Sequence, residues 1–87
     1  MTENRLHTIH NMSSIAWKWF RAKDTTAVSE RDDYFWNTVS KDIKDMVSKC
    51  DDKSMRMFYT DLLNAYAGQL QKDYVDYLGT KQEKLPL

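Results

Sequence analysis

The 87-residue chain has one cysteine, one proline, two glycines and no net charge. Each shortage excludes something. A lone Cys50 cannot form an intrachain disulfide, and a secreted domain of this size usually depends on such staples, so a reducing cytoplasm is the expected compartment. With 13 basic residues against 13 acidic, bulk electrostatic gripping of nucleic acid is not expected. No run approaches the roughly 18 apolar residues of a membrane span, and the polar N-terminus lacks a signal-peptide core. A soluble intracellular protein without a membrane partner is expected. No catalytic, nucleotide or cofactor motif stands in the chain, which points away from an enzyme.

What the chain does have is helical periodicity and aromatic rings. Three Trp, five Tyr and three Phe supply large apolar area from few residues, useful where a domain buries only about 60 to 65% of its unfolded surface. Scarce glycine and proline, without strand-like alternation, predict an all-α fold, an antiparallel three-helix bundle over residues 1 to 79. Helix 1 is expected from about Glu3 to Lys23 with Thr2 as N-cap, and its basic C-terminal end suits the macrodipole. Asp24 to Val28 form the first loop.

Helix 2 is expected to start at Ser29 as N-cap, with Glu30, Asp32 and Asp33 in its first turn. Its apolar stripe, Phe35, Trp36, Val39, Ile43, Met46, Val47 and Cys50, covers roughly 120° of a helical wheel. Tyr34 lies off that stripe and is expected in solvent. Helix 3, capped by Asp52 or Ser54, is expected to reach Leu78 on a seam that includes Met55, Tyr59, Leu63, Tyr66, Leu70, Tyr74 and Tyr77. Gly79 then takes the left-handed C-terminal position, and residues 80 to 87 form a flexible tail. Gly68 is tolerated opposite the seam, with a break into two helices there as the alternative. Met57 and Val75 share its face, where another helix would approach closely.

Helix 1 carries the functional signal. Its apolar residues, from Ile15 at one edge through Trp19, Met12, Ala16, Ile9 and Phe20 to Leu6 and Trp17 at the other, span roughly 200°. A helix with two neighbours buries less than that. One edge is therefore expected to meet a partner, with Trp17 as a typical interface anchor beside Arg21, Lys18 and His10. Tyr34, Tyr74 and Tyr77 complete the candidate binding set, since tyrosine gives contact area at low entropic cost. The expected partner is another protein, including the nucleic-acid-handling host enzymes that small inhibitors of mobile genetic elements target, or a second copy. A basic and aromatic strip, His10, Ser14, Trp17 and Arg21, makes a dimeric nucleic-acid-contacting regulator the alternative. The strip also allows a simple Arg21–Trp17 cation–π pair.

Other chemistry has little support. Charge is uneven along the chain, basic over residues 1 to 23 and acidic over 29 to 52. His7 and His10, one turn apart near Glu3, lack a third strong metal ligand, so no metal site is expected. Cys50 sits on an apolar stripe and reads as a small core residue. The Asp32-Asp33 and Asp51-Asp52 pairs stand where helix caps are needed.

Overall fold

The computed structural model describes residues 2–83 and is all-helical among them. Helix α1 spans Glu3–Asp24, α2 spans Asp33–Ser48 and α3 spans Lys53–Glu83, with a single 3₁₀ turn at Val28–Glu30 between the first two. They form the expected three-helix bundle in up-down-up order. Arg5 reaches Ser54, Phe20 stacks on Tyr66, and α1 therefore runs parallel to α3 with α2 antiparallel to both.

The caps follow from local hydrogen bonding. Thr2 accepts from the Arg5 amide at 3.2 Å and starts α1. Asp52 opens α3, its carboxylate accepting from the Ser54 amide at 2.9 Å and the Ser54 hydroxyl at 2.7 Å. Those two bonds hold its carboxyl below the ordinary range.

The expected start of helix 2 is corrected. Ser29 lies in the 3₁₀ turn, and Asp32 is the N-cap instead, accepting from the Phe35 amide at 2.9 Å. The reason is Arg31, which is only 3% exposed. Its guanidinium donates to the Thr26 carbonyl at 3.2 Å, to the Leu70 carbonyl at 2.9 Å and to Asp24 Oδ1 at 3.2 Å, and lies 5.5 Å from the centre of the Phe35 ring. A helix beginning at Ser29 would carry Arg31 away from these acceptors. One buried fork thus ties the end of α1, the first loop and the middle of α3 together.

Helix α3 is continuous through Gly68, as expected, but departs from expectation at Gly79, where it does not stop and the backbone has no positive φ. Residues 80 to 83 are helical rather than a tail, and residues 84 to 87 lie outside the described residues. A Cβ added at Gly68 would meet nothing within 4 Å. Gly68→Ala is therefore expected to stabilise the fold by about 1 kcal/mol, through helix propensity alone. A urea midpoint unchanged or lowered would show that the position needs glycine.

The core has two linked parts. The lower one gathers Met12, Ala16, Cys50, Met55, Tyr59 and Leu63, and burial pushes the Tyr59 hydroxyl up, with Cys50 adding to the effect. The upper one gathers Phe35, Val39 and Leu70. Trp19 and Ile43 pack against both. Ala16, fully buried, lets α1 approach α3 closely, so α3 acts as the spine on which α1 and α2 both lie. Among the described residues no helix is long and apolar enough to cross a membrane.

Candidate interaction face

Both edges of α1 stay open. Trp17 is 50% exposed and Ile15 is 52% exposed, on opposite sides of the buried line through Met12 and Ala16. The two edges lead to different places.

The Ile15 edge looks toward α2. Together with Met12, Met46, Cys50 and Tyr59 it lines an open cleft of about 440 Å³ between α1 and α2. Farther along, the two helices are strapped by polar contacts. The Trp19 indole N–H donates to Asp42 Oδ2 at 2.9 Å, and Lys23 Nζ lies 2.9 Å from the same oxygen. Partial burial pulls the Asp42 carboxyl upward, but the indole and the ammonium outweigh it and hold the group below its ordinary value.

The Trp17 edge looks away from α2, toward the outer side of α3. Trp17 lies 6.1 Å from Phe20, and Phe20 stacks on Tyr66 at 4.9 Å, so an aromatic chain crosses from α1 to α3. Leu62 and Tyr66 pack against the lower core from α3, and Phe58, one turn before Leu62, is open to solvent. Leu6 stands half-exposed on the α1 side, about three turns before Trp17 on the same line. Two parallel helices have two grooves between them. Here α2 fills one, and the other is an open aromatic face of Leu6, Trp17, Phe20, Phe58, Leu62 and Tyr66.

Of the residues singled out in the sequence, His10 and Arg21 share this edge with Trp17 and are exposed, while Lys18 is exposed at its outer border. Arg21 makes no cation–π contact with Trp17; among the described residues that geometry belongs to Arg31 and Phe35. The tyrosines lie elsewhere. Tyr34 is 77% exposed at the start of α2, and Tyr74 packs edge-on against Trp36 at 5.6 Å, filling the seam. Tyr77 is half-buried one turn farther along α3. Phe58 and Leu62 were not singled out for binding. The i, i+4 spacing of 58, 62 and 66 was the signal, but only helix order in space shows that this row borders Trp17.

No group of three or more potential metal ligands gathers among the described residues. Buried polar side-chain atoms there all have partners. No known protein-family model, curated protein or solved structure matches this chain.

Proposed function

We propose that the chain is a non-enzymatic protein-interaction module, of the inhibitor or adaptor class, that works through the α1–α3 aromatic face in a reducing cytoplasm. The observation that carries this reading is Trp17, half-exposed at the end of a continuous aromatic chain while the core beneath is closed without it. Burying a Trp side chain is worth more than almost any other single contact, so an indole held in solvent by a rigid helix is a preformed anchor. Cys50 is buried and free, which suits a compartment where thiols stay reduced.

A nucleic-acid-handling enzyme remains one candidate partner. Direct nucleic-acid binding is the second reading, favoured by Arg21 and His10 beside Trp17. Helical spacing sets Asp73 in line with Leu62 and Asp76 in line with Phe58 on α3. Although Lys72 pairs with Asp76 at 3.1 Å, the Asp73 carboxylate, bonded to Gln69 alone among the described residues, repels a phosphate backbone.

The test compares wild-type and Trp17→Ala chains as immobilised baits against native host extract supplemented with untagged copies of the chain. A protein held by wild type and reduced at least tenfold on Trp17→Ala, with little salt dependence, is expected. Capture that survives Trp17→Ala but vanishes in Arg21→Glu and at high salt points to nucleic acid and overturns the reading, as does capture of nothing at all.

A further inference from the structure

We propose that the polypeptide seated on the α1–α3 face is a second copy of this chain, related by a twofold axis lying in the interface and running along the helices. The inference rests on the reading of this face as the binding surface and names its occupant. Charge carries it. From Leu6 to Arg21, α1 has Lys18 and Arg21 and no acid, whereas α3 from Met57 to Gly79 has Asp61, Asp73 and Asp76 against Lys72 alone. Arg21 has no carboxylate partner in its own molecule among the described residues, and Asp73 accepts only from Gln69, at 2.8 Å. Asp76 is paired with Lys72 at 3.1 Å, so Asp61 and Asp73 are the carboxylates of that wall left to a partner.

One side of the aromatic face is thus cationic and the other anionic. A twofold axis across the helices would lay α1 on α1 and set like charges together. A twofold axis along them lays each α1 on the other copy's α3, cation wall to anion wall, an isologous and self-complementary contact. The register fits the apolar residues as well. Arg5 reaches Ser54 and Phe20 stacks on Tyr66 in one molecule, so Trp17 stands level with about residue 64 of either α3. It therefore meets the second copy's Leu62 and Ala65, where a small exposed residue leaves room for an indole. Such a dimer displays its α2 surfaces, with Tyr34, twice and outward, which suits a bivalent adaptor better than a one-site blocker.

The test measures solution mass by analytical ultracentrifugation of the full chain from about 1 to 500 µM. A concentration-dependent monomer–dimer equilibrium is expected. Trp17→Asp and Ala65→Arg, on opposite walls, are each expected to weaken dimerisation at least tenfold with helicity by circular dichroism unchanged. Ile15→Asp, on the other edge of α1, is expected to leave it intact. A monomer at every concentration overturns the inference, and so does a dimer that dissolves only with Ile15→Asp. Loss with Trp17→Asp but not with Ala65→Arg overturns the α1-on-α3 arrangement, and Ala65→Arg decides alone if Trp17→Asp fails to fold. A strict monomer that still captures a Trp17-dependent host protein removes the second copy as occupant while leaving the face as the binding surface.

Discussion

Replacing Leu63 by alanine is expected to lower unfolding free energy by about 3 kcal/mol, within the range of 2 to 5 for a fully buried leucine. Leu63 has no exposed surface and sits where α1 and α2 both meet the spine, in the cluster with Ala16, Met12 and Tyr59. Collapse into the vacancy is limited, because the α1 side of the cluster includes the fully buried Ala16, whose methyl is too short to fill the space. In a domain this small each kcal/mol moves the melting midpoint by about 4 to 8 °C, so the drop is on the order of 15 °C or more. Thermal unfolding followed at 222 nm measures it. A shift below about 5 °C would mean that the three helices do not converge on this residue.

Arg31 is the second sensitive position, and the sign of a comparison matters more than one value. Arg31→Lys is expected to cost about 2 to 3 kcal/mol, because an ammonium on a flexible stem cannot reach Thr26, Leu70 and Asp24 at once and remains charged at a site that is 3% exposed. Arg31→Met is expected to cost less, about 1 to 2 kcal/mol. It removes the buried charge, and the carboxylate it abandons, Asp24, is half-exposed and keeps its water. Urea titration of the three proteins ranks them. Lysine matching wild type would show that any cation serves there and that the fork geometry is irrelevant.

Arg31 also shows where sequence reasoning stops. An arginine two residues after a serine cap candidate, among acids, reads as part of an exposed first helical turn. Its three acceptors are 5, 7 and 39 residues away, and the last is a backbone carbonyl that no side-chain pattern announces. Ser29 and Asp32 are equally good caps locally, and the inward turn of Arg31 selects between them. The stripe from Phe35 to Cys50, by contrast, was legible because periodicity alone determines which residues share a helix face. Gly79 misled for a related reason: a glycine is permitted at a helix end but does not impose one, and α3 runs through it with ordinary helical backbone.

For the candidate site the split is similar. The wheel of α1 identifies Trp17 and Ile15 as its edges from spacing alone. Which edge turns to α2 and which to the outside of α3 depends on the arrangement of the three helices in space, which periodicity does not encode. Phe58, Leu62 and Tyr66 could therefore be read as a seam and its margin, but not as the far half of the Trp17 surface. The tyrosines were grouped by residue type, and packing separated them: Tyr74 fills space against Trp36, while Tyr34 stands alone in solvent.

The three tryptophans divide the molecule in a way that makes it its own optical instrument. Trp17 emits from the open face, Trp19 from a hydrogen bond on the strap between α1 and α2, and Trp36 from an edge-on contact with Tyr74 near the upper end. Versions keeping one indole at a time would give three local fluorescence signals, from solvent-facing to packed, without any added label. Association at the face, release of the strap and loosening of the upper layer would then be followed as separate colours and quenching rates in the same chain.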